Sequence, residues 1–350
     1  SFLPRLGYKK AMLIALTIVT LACIVMPLAG GFTMTKILFI CVGVSFALIK
    51  VSVYSTVSLI TKDSQDHASF MSTLEGIFQI GVLTGYWIFG FFMSHKSMSW
   101  LDTYWILAVM SFCAFILLLT TTLDESSVKI KKATIAKDFI NMIGLIRLPL
   151  VLIFIFTAFL YVFIEQGIQS WLPTFNNKIL YLPDAMSVQV TSILAGAIAL
   201  GRIFGGYIMK KVRWLYVLIG SLIGSIILVI LVLPLSTGIQ QGSVTSWFNA
   251  PPVAFIFPLI GFFLAPIYPT LCSTVLSKLP KANQSAMSGL IVIFSALGGT
   301  IGSRITGTMF GLLGGIKAFY FSLIPMALLL IIIFPYKKIQ DKFIMAEGEK

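Results

Sequence analysis

The chain has 350 residues, 58% of them hydrophobic and only 11% charged, with 25 Lys and Arg against 12 Asp and Glu for a formal net charge of +13. A soluble domain carries roughly 25% charged residues, so this composition excludes an ordinary water-soluble fold. On so apolar a chain the positive excess reads as a bias that orients membrane spans, and no nucleic-acid partner is expected.

Apolar runs of about 20 residues must be helical, because a backbone group left unpaired in lipid is too costly. Ten such spans are predicted, at about 10–30, 36–61, 68–93, 101–123, 148–175, 187–210, 214–236, 251–277, 284–310 and 315–336. The chain opens on SFLPRLGYKK, which reads as the middle of a loop. Between spans four and five lies the longest charged stretch, residues 124–147, with Lys129, Lys131, Lys132, Lys137 and Arg147 against Asp124, Glu125 and Asp138. It reads as a bridge between two membrane halves, part of it an amphipathic helix on the bilayer surface. The expected division is 1–123 for the first half, 124–147 for the linker, 148–336 for the second half and 337–350 for a tail.

Placing that linker in the cytoplasm puts eighteen of the 25 Lys and Arg on the inner side and four on the outer, with Lys50, Arg202 and Arg304 inside spans. Both ends are then cytoplasmic. Cys23, Cys41, Cys113 and Cys272 fall inside spans without paired or metal-ligand spacing, and read as small packing residues. His67 and His95 read as solvated loop residues.

An internal repeat is present. Ser69, Met71, Ser72, Leu74, Ile77 and Phe78 of span three recur 216 residues later as Ser285, Met287, Ser288, Leu290, Ile293 and Phe294 of span nine. Ser55-Thr56-Val57 recurs as Ser273-Thr274-Val275. Both copies begin in the same direction, so the halves are parallel repeats. Six spans follow the linker and four precede it, which predicts two further helices before residue 1. Two six-helix halves related by an axis along the membrane normal is the plan of one large transporter class.

The motifs agree with that class. Gly7, Lys9 and Lys10 resemble the tail of the Gly-x-Leu-x-Asp-x-x-Gly-Arg-Lys signature of the major facilitator superfamily, and Gly201-Arg202-Ile203-Phe204-Gly205-Gly206 with Lys210 and Lys211 is similar to its second copy. The resemblance implies an all-α polytopic membrane protein of two pseudo-symmetric six-helix halves, ten of the twelve helices being present. It also implies gating roles for Lys9, Lys10, Arg202, Lys210 and Lys211. Within the superfamily, Glu165 with Trp171-Leu172-Pro173, Leu264-Ala265-Pro266-Ile267-Tyr268-Pro269, and residues 285–290 with Gly298-Gly299 resemble the fucose/hexose:proton symporter group. There are departures. Pro4 stands where the first signature has its acid, Lys50 where the symporters have an acidic residue, and Glu75 and Phe78 about where they have Gln and Asn.

Ionisable groups at mid-bilayer cost roughly 2.5–3.5 kcal/mol on insertion scales, so each demands a reason. Lys50 heads a stripe with Tyr54 and Ser58 at i+4 and i+8, and Glu75, followed by Gln79, lies at similar depth, which makes a Lys50–Glu75 pair plausible. Tyr161, Glu165 and Gln169 form the best polar stripe, with Trp171 beside it as an aromatic plate for a sugar. Arg304, after Gly298, Gly299 and Gly302, is expected to pair with Glu165 or to clamp an anion. Gly201, Gly205 and Gly206 lie inside a span, without the strand–turn–helix setting of a phosphate loop.

The expected function is ion-coupled secondary transport of a small polar solute by alternating access. The substrate is best read as a hexose or deoxyhexose, moved with H⁺ as coupling ion and Na⁺ as the alternative. Substrate contacts fall to Lys50, Tyr54, Glu75, Gln79, Tyr161, Gln169, Trp171 and Arg304, and proton coupling to Glu165 and Glu75. The alternatives are an organic-anion transporter using Lys50 and Arg304, and a receptor that keeps the transporter fold. Enzymatic chemistry is not expected, since clustered His, Asp, Ser or Cys inside the spans are lacking. No cofactor or metal is implied, and the expected setting is a monomer in a bacterial inner membrane.

Overall fold

The computed structural model describes residues 6–60, 64–95, 99–123, 135–209, 211–242, 244–276 and 281–348. The side chains of Tyr54, Ser58 and Glu75, and the whole of Lys210, lie outside this set. The helices are α1 (Tyr8–Ala29), α2 (Gly31–Ile60), α3 (Ser64–Ser94), α4 (Thr103–Thr120), α5 (Ile135–Gly144), α6 (Pro149–Lys178), α7 (Asp184–Met209), α8 (Trp214–Val232), α9 (Pro252–Ile256), α10 (Ile260–Leu264), α11 (Ile267–Leu276), α12 (Lys281–Leu313), α13 (Gly315–Tyr320) and α14 (Leu323–Gly348). There is no strand among the described residues. Ten stretches are long and apolar enough to cross a bilayer, as the hydropathy pattern requires.

Two spans differ from the expected simple rods. The eighth is broken into α9, a 3₁₀ turn at Phe257–Leu259, α10 and α11. Pro258, Pro266 and Pro269 explain this, because each lacks a backbone N–H and clashes with the preceding turn. The tenth does not stop near residue 336: α14 runs through Tyr336 to Gly348. Between α1 and α2 the chain reverses through Gly30 and Gly31, both at positive φ (57° and 81°), which only glycine takes cheaply.

The chain forms two compact units, Ser1–Phe78 with Ile88–Ile135, and Gln79–Trp87 with Ala136–Lys350. In the first, α1 packs on α2 and α4. The Thr20 and Ser111 hydroxyls share a 2.8 Å hydrogen bond that pins α1 to α4. Met26 and Ala22 bury against Leu38, with Tyr104 and Leu101 around them. Phe39 and Leu117 are each 70% exposed, an orientation that hydrocarbon solvates and water would not.

Lys9, expected as a gating residue, has partners on α4. Its Nζ donates to the carbonyls of Leu119 (3.0 Å) and Thr121 (2.7 Å), so the ammonium caps the C-terminal end of α4. Lys9→Met is therefore expected to lower stability by about 1 kcal/mol, seen as a fall in thermal midpoint in detergent. Lys10→Met, at an exposed position, serves as the comparison and is expected to leave the midpoint unchanged.

The second unit is built around α6, which contributes Leu150, Val151, Phe154, Ala158, Leu172 and Phe175 to its core. Its closest partner is α12. A Cβ at Gly298 would meet the backbone of Phe159, one at Gly302 the backbone of Phe163, and one at Gly307 the Trp171 ring; from the other side, Gly167 meets Thr306. Small residues about one turn apart thus let the two backbones touch. The pair α7 and α10 repeats the device, Gly201 lying on the Phe262 carbonyl and Gly261 on that of Leu194. Helix α5, within the expected linker, turns Phe139, Ile140 and Ile143 outward and packs Met142 on the core.

Candidate functional site

Glu165 is the seventeenth of the 30 residues of α6, near the middle of the span. The Tyr161 hydroxyl, one turn earlier, donates to its Oε1 at 2.9 Å. Tyr161 is only 1% exposed and Glu165 half-buried, so the phenol holds the carboxylate at the edge of the unit's interior. Two further groups converge there. Tyr161 stacks on Tyr268 at 5.6 Å and 25° between rings. The charge of Arg202 acts on the Tyr161 hydroxyl together with that of Glu165. Arg202 Nε is itself buried. The Tyr268 hydroxyl shares a 3.0 Å hydrogen bond with Ser295 of α12. The cluster therefore joins α6, α7, α11 and α12.

The neighbouring amides extend it along α6. Gln166 Nε2 donates to Gln169 Oε1 at 3.2 Å. Tyr86 of α3, in the segment that belongs to this unit, is a near neighbour of Gln169. A carboxylate, two amides and three phenols of this kind offer donors and acceptors together, which a hydroxylated solute can use from several sides.

Arg202, expected as a gating residue, lies near enough for its charge to act on the Tyr161 hydroxyl. Two expectations are corrected. The expected Glu165–Arg304 ion pair is not formed, Arg304 being exposed while Glu165 takes the Tyr161 proton donor. Trp171 is not an open stacking plate. Its indole N–H donates to the Ser303 carbonyl at 2.8 Å, its ring stacks on Phe310 at 5.4 Å, and it lies over Gly307. It clamps α6 to α12.

In the first unit, Lys50 is half-buried, with its Nζ 5.4 Å from the Phe46 ring, a cation–π distance. Phe46 in turn meets Phe78 at 6.1 Å. Gln79, the first residue of the α3 segment assigned to the second unit, is buried at 6% exposure. The Tyr54 and Glu75 side chains, and with Glu75 the proposed pair to Lys50, lie outside the described residues, as does Lys210. Lys10 is exposed, and Lys211 is exposed with its Nζ 5.2 Å from the Tyr207 ring.

Tyr268, Ser295 and Tyr86 were not singled out as site residues from the sequence. Tyr268 carried a usable signal: it sits between Pro266 and Pro269, and broken helices are where transporters build their sites. Ser295 and Tyr86 have no comparable mark. No group of three or more His, Cys, Asp or Glu able to hold a metal occurs among the described residues.

No curated protein matches the chain in sequence. Among solved structures it is similar to a transporter titled FucP in the outward conformation, with 16% identity, TM-score 0.66, and coverage of 97% of this chain and 84% of that one. It is also similar to a mutant form of the E. coli fucose:proton symporter FucP, with 15% identity, TM-score 0.59, and coverage of 96% and 85%. A third likeness is to a bacterial homologue of the human lysosomal transporter Spinster, inward-facing and occupied, with 14% identity, TM-score 0.59, and coverage of 95% and 81%. These likenesses show the fold, an all-helical one spanning the membrane many times. The sequence matches the family described as Major Facilitator Superfamily over residues 2–303, so the chain belongs to that superfamily of membrane transporters.

Proposed function

We propose that this transporter moves a sugar, a hexose or deoxyhexose, in symport with a proton, and that Glu165 carries the proton. The observation behind this reading is the Tyr161–Glu165 hydrogen bond with Arg202 acting on the same hydroxyl in mid-span. A half-buried carboxylate at mid-span is stabilised either by a proton or by a nearby cation. Exchange between those two states is a coupling device. When Glu165 binds a proton it has no need of Arg202; when it loses the proton, Arg202 and Tyr161 stabilise the charge. Gln166, Gln169 and Tyr86 stand alongside for sugar hydroxyls. Similarity to a protein titled a fucose:proton symporter favours the same substrate class. We place the 124–147 linker and both chain ends in the cytoplasm, the two halves at 1–123 and 148–336, and the protein as a monomer in a bacterial inner membrane.

A second reading, transport of an organic anion, has its own support in Arg304, an exposed guanidinium on α12, and in half-buried Lys50. Arg is suited to carboxylate recognition. Proteoliposomes with an inside-alkaline pH gradient separate the two. Uptake of hexoses or 6-deoxyhexoses, unaffected by Arg304→Met, supports sugar symport. Uptake of organic acids only, lost in Lys50→Met or Arg304→Met, replaces it with the anion reading.

A further inference from the structure

An apolar cleft of about 570 Å³ opens on the outer surface of the second unit, between α6 and α14. Pro149, Leu152, Ile153 and Phe156 form one wall, and Ile332, Pro335 and Ile339 the other. Each set repeats at three- or four-residue steps, so each is one face of its helix. Leu152 is 55% and Phe156 45% exposed, so the walls are not closed over by protein. The volume lies within the range of small-ligand pockets, roughly 300–1,000 Å³. At 1.5 Å per residue the eight-residue walls run for about 10 Å along the helix axes.

The cleft is asymmetric in charge. Five chain reversals separate α6 from α14 as the first and last of six spans, so they run antiparallel and Pro149 lies at the same end as Ile339. That end carries cations from both walls. Exposed Arg147 stands two residues before Pro149, in the turn that leads into α6. On α14, exposed Lys338 adjoins Ile339, and exposed Lys342 continues the face of Pro335 and Ile339 one turn further. Asp341, an acid on α14 near this end, is engaged by Lys337 at 3.6 Å. The opposite end of the cleft, at Phe156 and Ile332, lies deep in both spans and has no charge in either wall.

We propose that this cleft binds an anionic phospholipid of the surrounding bilayer, with an acyl chain between α6 and α14 and the headgroup phosphate at Arg147, Lys338 and Lys342. An apolar slot in a membrane span is filled by hydrocarbon. Basic groups at the mouth then decide which headgroup it belongs to, because the phosphate and the net negative charge meet cations from both walls at that end. The site shares no residue with the Glu165–Tyr161 cluster, so it stands whether or not the sugar reading does.

Native mass spectrometry of the protein released from micelles holding equimolar phosphatidylglycerol and phosphatidylcholine tests this. Phosphatidylglycerol adducts are expected to dominate. They are expected to fall on the order of 25-fold in Lys338→Gln/Lys342→Gln, since each of the two cations removed contributes about a factor of five. Leu152→Trp, which fills the cleft from an exposed position and leaves the core untouched, is expected to remove the same adducts while the cations remain. Lys317→Gln/Arg213→Gln, which removes two cations elsewhere, is expected to leave them in place. Equal binding of the two lipids, an equal loss in that control pair, or survival of the adducts in Leu152→Trp overturns the proposal. So does loss of a dimer mass in Leu152→Trp with lipid adducts unchanged, which would assign the cleft to a second copy of the chain.

Discussion

Glu165→Gln is expected to abolish concentrative uptake while leaving sugar exchange in place. A pH gradient of one unit is worth about 1.4 kcal/mol, so one proton per sugar supports up to about tenfold accumulation. Glutamine keeps the size of the side chain and can still accept from the Tyr161 hydroxyl, but it cannot take up a proton. The accumulation ratio should fall to about 1, passive equilibration, whereas counterflow of labelled against unlabelled sugar needs no proton cycle and should persist. Tyr161→Phe should be milder, because it removes the hydrogen bond and keeps the carboxylate; a hydrogen bond to a charged group contributes about 1.5–3 kcal/mol. If Glu165→Gln still accumulates sugar as the unmodified protein does, the proton is carried elsewhere.

Gly302→Val is expected to be the most damaging single change to the fold. A Cβ at Gly302 would strike the backbone of Phe163, which cannot swing aside as a side chain tip could. Separating α6 from α12 there also disturbs Gly298 on Phe159 and Gly307 under Trp171, along a seam that holds Tyr161 and Ser295 in place. Overpacking of this kind costs about 1–3 kcal/mol, and valine adds a branched side chain to the clash. Size-exclusion profiles and thermal midpoints in detergent should show aggregation or a clear fall. Gly311→Val on the same helix meets nothing within 4 Å and is the matched control, expected to behave as the unmodified protein. An equal fall in both variants would mean that helix propensity, not contact, is responsible.

The fold was legible because its signal is one-dimensional. Lipid forces each span to be a continuous apolar run, and the ten runs read from composition are the ten stretches that the structure makes helical and long enough to cross. Gly298, Gly299 and Gly302 are small residues of the kind that permit either a close approach or a bend, and α6 lies against them. What the pattern does not carry is azimuth and partner. Glu165 and Tyr161 are four residues apart on one helix, so their meeting was readable. Arg202 comes from another helix, and the motif it stands in pointed to a gate but could not say that its charge would act on the Tyr161 hydroxyl. The same gap explains Trp171, a residue of the right type on the right helix that turns its N–H to Ser303. The break at Pro258 and Pro266 was visible as letters, but its consequence, Tyr268 stacked under Tyr161, needs three dimensions.

The most direct test of proton-coupled sugar symport is the pH of a weakly buffered suspension of proteoliposomes on addition of sugar, with no gradient imposed. The account predicts alkalinisation of the medium that follows sugar entry, absent in Glu165→Gln although that variant still exchanges sugar. Sugar entry without any pH change in the unmodified protein would contradict it, and so would a proton movement evoked only by organic acids.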